Sequence, residues 1–159
     1  YIDDEYKMIF DVDYIDTEQM NTETFDFMVE TLNNVMTSLD MKSSMYVTQS
    51  ITQKTTQLIK SGYHIILPEI IVNKDKAIEF RNEYVKVLNE KSSENINWDK
   101  FIDEEIYQTN NIRMIGSKKT SQGVIMNDLH SLYMLIDSGN KTQPKMTLDI
   151  FKKLSVRFM

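Results

Sequence analysis

Asp11 and Asp13, two positions apart in the stretch MIFDVDYID (residues 8–16), are the first residues whose types and spacing suit chemistry. Side chains at i and i+2 of a strand leave the same face, roughly 6.5–7 Å apart along it. Two carboxylates so placed repel each other unless a cation sits between them, and hard oxygen ligands of this kind favour Mg²⁺ or Mn²⁺ over zinc. The same spacing also suits two solvated aspartates on an edge strand or in a turn, and spacing alone does not choose. A second stretch, LIKSGYHIILP, sets Lys60, Ser61 and Gly62 just before His64 at the start of an apolar run. A cation, a hydroxyl and a glycine that lets the backbone come close can together cradle an anion. A lone His at a strand start equally fits one structural hydrogen bond. In a third stretch, FIDEEIYQTNNIRMIGSKK, Asp103 follows a hydrophobic pair, and Arg113, Lys118 and Lys119 flank a short strand-like run. Arginine suits bidentate phosphate contact and lysine offers a mobile point charge. Taken alone, these pieces also fit an acidic turn and a solvated basic loop.

The elements that must position these groups follow from periodicity. Residues 5–13 alternate as a strand, with Met8 and Phe10 on one face and Ile9, Asp11 and Asp13 on the other. Phe25, Met28, Leu32, Val35, Met36 and Leu39 then recur at helical steps, with Asn21 or Thr22 able to cap the start. Residues 44–51 are β-branched and strand-like, and 62–72 form a longer apolar strand that Pro68 bends or ends. A second helix is expected over 74–91, broken by SSEN, and a short helix running into a turn over 98–107. Strands over 111–117 and 131–137, a polar KKTSQG connection and a closing helix over 147–156 complete the pass. Alternating strands and helices with some neighbouring strands point to a mixed α/β or α+β domain.

Composition narrows the function classes. A chain of 159 residues, 41% hydrophobic and 26% charged, has the size of one domain and can bury a real core. The absence of cysteine excludes a disulfide framework and a thiolate metal site, and suits a reducing compartment. No apolar run approaches the roughly 20 residues of a membrane span and the N-terminus carries no signal-peptide pattern, so an intracellular, non-secreted protein without a membrane partner is expected. The start at Tyr1 rather than Met suggests a fragment of something longer. A net charge of −6 argues mildly against a protein that only grips phosphate backbones, although a local basic cleft can coexist with an acidic exterior.

Taken in order, FDVD, then KSGYHIILP, then IDEEIY with IRMIGSKK, the three stretches resemble the archaeo-eukaryotic primase superfamily. The likeness is closest to its primase-polymerase branch and to the primase modules of large DNA viruses' primase-helicases. It spans residues 8–119, and the tail MTLDIFKKLSVR is similar to the segment that closes such viral modules. That family carries an acidic pair on one strand, Ser-x-His at the start of another, and a hydrophobic-Asp motif followed by Tyr, Arg and Lys. Here the last set is Asp103, Tyr107, Arg113 and Lys119. One departure stands out: Gly62 occupies the place of the motif serine, with Ser61 one residue earlier. The hydroxyl contact then passes to backbone amides near Gly62, or to Ser61 if the strand start is bulged.

The resemblance implies one primase-type catalytic domain over 1–159. Its fold would be α+β, two abutting α/β modules with a mixed sheet, the second RRM-like, and the active site in the cleft between them. It implies template-directed nucleotidyl transfer, making RNA or DNA primers on single-stranded DNA for replication. Asp11, Asp13 and Asp103 would hold two Mg²⁺ or Mn²⁺ ions, and Lys60, Ser61, Gly62, His64, Arg113 and Lys119 would bind the nucleoside triphosphate. Tyr107 fits packing or a sugar contact, Lys118 a template or primer phosphate or solvent, and Asp16 a turn. A helicase domain in the same full-length chain, and a viral replication site or the cytoplasm, are expected with it. Two rivals remain: a primase-like module that binds nucleic acid without catalysis, and a haloacid-dehalogenase-type phosphatase with Asp11 as nucleophile and Asp13 as acid/base, for which no late acidic pair on a strand is seen.

Overall fold

The alternation in YKMIFDVDYID builds a strand longer than its apolar part. In the computed structural model, which describes residues 5–92, 95–109, 120–121, 124–125, 131–145 and 147–154, strand β1 runs over Tyr6–Asp16. Helix α1 (Thr22–Ser38) follows, capped by Asn21, whose side chain accepts the Thr24 N–H. Strands β2 (Met45–Gln53) and β3 (Ile59–Val72) come next, then helix α2 (Lys74–Lys91), capped in the same way by Asn73. Two single-turn helices, α3 (Trp98–Phe101) and α4 (Ile106–Thr109), replace the one short helix expected over 98–107. The chain continues through β4 (Thr120–Ser121), β5 (Val124–Ile125), β6 (Ser131–Asp137), β7 (Asn140–Thr142) and α5 (Leu148–Leu154). The strand expected over 111–117 lies outside the described residues.

The domain is α+β, with a five-stranded sheet in the order β1-β3-β2-β6-β7 and a separate two-stranded pair, β4-β5. Every described pairing is antiparallel, so the expected mixed sheet is corrected among the described residues. The five residues between β2 and β3 allow only a hairpin return, and Lys54 and Thr55 donate backbone N–H groups to the Leu58 carbonyl to close it. Pro68 does not end β3. It falls where the β1 register shifts between Lys7 and Met8, opposite Ile71 and Leu67, and past the last β2 partner, Ile66. A residue without an N–H sits there without removing a ladder bond.

The sheet has two chemically distinct faces. Met8, Phe10, Val12, Tyr63 and Ile65 turn toward α1 and α2 and form the core. The Phe10 ring meets Phe80 and Tyr84 edge-on at 5.3 and 5.0 Å, and Phe25 lies 5.3 Å from Tyr63. The Tyr84 hydroxyl donates to the Met28 carbonyl at 2.7 Å and ties the two helices together. Trp98, fully buried, fills the end of this layer against Tyr14, Phe27 and Phe101. The other face carries Asp11, Asp13, His64 and Lys60. Among the described residues no helix is long and apolar enough to cross a membrane.

Candidate active site

Directly opposed residues of antiparallel strands share a face, so the registers determine what stands beside each aspartate. Asp11 pairs with His64 of β3, which pairs in turn with Thr48 of β2. Asp13 pairs with Gly62 and Gly62 with Ser50; Ile15 pairs with Lys60 and Lys60 with Thr52. Three cross-strand rows thus lie side by side on the face turned away from α1 and α2. His64 Nε2 stands 3.4 Å from Asp11 Oδ1, and Lys60 Nζ stands 3.8 Å from Asp13 Oδ1. His64 is buried, Asp11 mostly so, and Asp13 is half-exposed.

Asp103 joins from the outer edge of β1. Val12 forms an isolated antiparallel bridge with Ile102, and the Asp103 N–H donates to the Asp11 carbonyl at 2.9 Å. Continuing that register sets Asp103 opposite Asp11, on the same face as the aspartate pair. The extended backbone at Ile102 also explains why the expected helix is split into two turns. Its carbonyl is held by Arg81 of α2, whose Nε and Nη2 donate to it at 3.2 and 2.5 Å. Arg81 also donates to the Asp99 carbonyl and carboxylate at 3.0 and 2.9 Å. From the other side the Tyr107 hydroxyl donates to the Ile9 carbonyl at 2.6 Å, so Tyr107 is a buried packing residue here. Burial holds the Tyr107 phenol well above its ordinary range. Asp13, Arg81 and Asp99–Glu105 line a cleft of about 520 Å³ at this edge.

Burial and then the neighbouring Asp11 charge push the Asp13 carboxyl above the ordinary carboxylate range; Lys60 and His64 pull the other way, and Asp103 adds to the rise. Negative charge on Asp13 is therefore less favoured here than on a carboxylate in water. Three carboxylates on adjoining positions of one face are the donor chemistry that Mg²⁺ or Mn²⁺ takes. Among the described residues no three acidic or imidazole groups stand close enough to enclose an ion as the side chains are set. The residues fit such an ion in type and face, with Asp11 now turned to His64 and Asp13 to Lys60.

Ser61 is not brought to this face. The β3 ladder runs without a bulge from Ile59 to Leu67, so Ser61 points to the helix side, where its buried Oγ accepts the Met20 N–H at 2.9 Å. Of the two carriers suggested for the missing motif hydroxyl, the Ser61 side chain is thereby displaced. Asp16, expected in a turn, is instead the last residue of β1, paired with Ile59, and its carboxylate accepts from the Thr17 N–H at 2.7 Å and from the Tyr14 hydroxyl at 3.2 Å. Arg113, Lys118 and Lys119 lie outside the described residues. Two features escaped the sequence reading. The hydroxyl column Thr48, Ser50, Thr52 was visible as polar alternation in YVTQSIT. Arg81, one charge on a charged helix, gave no signal.

An antiparallel sheet backed by two helices thus carries an acidic pair, an imidazole and an ammonium on its other face. Residues 2–129 match the family model described as the C962R protein N-terminal AEP domain, AEP denoting archaeo-eukaryotic primase. The chain belongs to this family. No curated protein matches the chain. The phosphatase reading is not favoured by this assignment.

Proposed function

We propose that this domain is a primase-type nucleotidyltransferase that makes RNA or DNA primers on a single-stranded DNA template. The observation that supports it most is the co-facial set Asp11, Asp13, His64 and Lys60, with Asp103 in the adjoining edge position, in a chain of the primase family. In this reading Asp11, Asp13 and Asp103 are the oxygen donors for two Mg²⁺ or Mn²⁺ ions. Such a pair, when bound, lowers the pKa of the attacking hydroxyl and offsets charge on the leaving pyrophosphate.

The chain's own residues supply the rest. Lys60 and His64 now face the two carboxylates; a bound triphosphate would compete for both groups, leaving the carboxylates free to act as oxygen donors. From their places on β3, Lys60 and His64 hold the triphosphate oxygens as the bond from the α-phosphorus to the pyrophosphate oxygen breaks and the bond to the attacking oxygen forms. Arg113 and Lys119 complete the clamp in this proposal. Arg81 and Tyr107 act on Asp103 only through the backbone that they pin.

The proposal carries with it a two-module arrangement with an RRM-like second part, a helicase domain in the full-length chain, and an intracellular site of action. Primer extension on single-stranded DNA with Mg²⁺ or Mn²⁺ tests it. Strand synthesis by the parent, abolished by Asp13→Ala and Asp11→Ala, is the expected result. A parent that binds single-stranded DNA yet incorporates no nucleotide with either ion would overturn catalysis and leave a nucleic-acid-binding module.

A further inference from the structure

The geometry points to Ser50 of β2, with Thr52 beside it, as the hydroxyl donors that hold the phosphates of the bound nucleotide. This deepens the proposed function and rests on it. Gly62 is framed on four sides: Asp13 and Ser50 oppose it on the two neighbouring strands, while Lys60 and His64 precede and follow it on the same face of β3. With adjacent strands about 4.8 Å apart, Asp13 and Ser50 stand roughly 10 Å apart across a position that carries no side chain. By this register a carboxylate and a hydroxyl flank the Gly62 backbone across the sheet, and an ammonium and an imidazole flank it along β3. Phosphate oxygens are the ligand atoms that suit both the hydroxyl and the two nitrogen groups.

Two further observations favour the β2 column over a merely structural row of threonines. Ser50 is buried although it faces away from the helical core. The Thr52 hydroxyl, opposite Lys60, is buried and has no hydrogen-bond partner among the described residues. A buried hydroxyl without a partner is costly, and an acceptor brought in by a ligand removes that cost. The serine replaced by Gly62 would project from β3 into this same space. Ser50 reaches the space from the neighbouring strand, and Ser61, on the opposite face, does not.

The test is binding of ATP and of dATP in the presence of Mn²⁺, by titration calorimetry, alongside primer extension. Ser50→Ala is expected to weaken triphosphate binding by roughly tenfold, the loss of one hydrogen bond to a charged group, and Thr52→Val by a smaller factor. Adding Gly62→Ser to Ser50→Ala is expected to restore most of the affinity, a rescue that no general weakening of the sheet produces. Ser50→Thr, which keeps the hydroxyl, is expected to stay near the parent. Ser50→Ala binding as tightly as the parent, while Asp13→Ala still abolishes extension, overturns the Ser50 assignment and leaves the proposed function standing. A parent that binds neither triphosphate and extends no primer overturns both.

Discussion

Arg81→Met removes the buried guanidinium that holds the Asp103 segment, and its cost can be apportioned from the geometry. Arg81 is 4% exposed and donates to two carbonyls, Ile102 and Asp99, and to the Asp99 carboxylate. The Asp99 side chain is 64% exposed, so its ion pair is screened by water and contributes on the order of 0–1 kcal/mol. The Ile102 carbonyl is different. Ile102 is buried and its carbonyl receives two of the guanidinium's hydrogen bonds, so losing them strands a buried acceptor at about 1–3 kcal/mol. Relief of the cation's own burial offsets part of the loss. A net destabilisation of about 1–3 kcal/mol follows, with Asp99→Asn costing under about 1 kcal/mol. Equilibrium urea unfolding measures both. Hydrogen exchange at the Asp103 amide, which donates to the Asp11 carbonyl, is expected to quicken in Arg81→Met by more than the global loss explains. Arg81→Lys recovers only part, because an ammonium cannot match the planar fork. Asp99→Asn costing as much as Arg81→Met would refute the apportioning, since the exposed ion pair would then hold the segment.

Asp13→Asn is expected to raise stability at neutral pH in chelator-treated buffer. Its folded pKa lies above the unfolded value, so ionised Asp13 destabilises the fold; the penalty is fully present above the folded pKa and vanishes below the ordinary carboxylate range. The gain should therefore shrink as pH falls through that window, and thermal unfolding from neutral to strongly acid pH reads it. In the parent, Mn²⁺ should raise the melting temperature, and in Asp13→Asn much less; equal shifts would remove Asp13 from the ion site. Tyr107→Phe strands the Ile9 carbonyl and should cost about 1–2 kcal/mol by urea unfolding. Ser61→Ala strands the Met20 amide at a similar cost while leaving triphosphate affinity unchanged, the reverse of the Ser50→Ala pattern.

What could be read from sequence and what could not separate along one physical line. Patterns within one element were legible: the alternation of Met8 and Phe10 against Asp11 and Asp13 describes the two faces of β1, and the 3- and 4-residue steps place α1 and α2 nearly to the residue. Strand ends were less so. β1 and β3 extend to Asp16 and back to Ile59 because each supplies the other's ladder bonds, whatever the polarity of the residues between. Relations between elements were not legible. Nothing in KSGYH states whether the strand start is bulged, and that single residue of register decides whether Ser61 or Gly62 faces Asp13. The same holds for Ser50, whose neighbour across β2 and β3 depends on the length of one hairpin. It holds again for Arg81, which acts on a loop about twenty residues downstream. A motif lists the side chains that its own strand presents. The hydroxyl that its sequence lacks can come from the next strand, and only the register shows where to look.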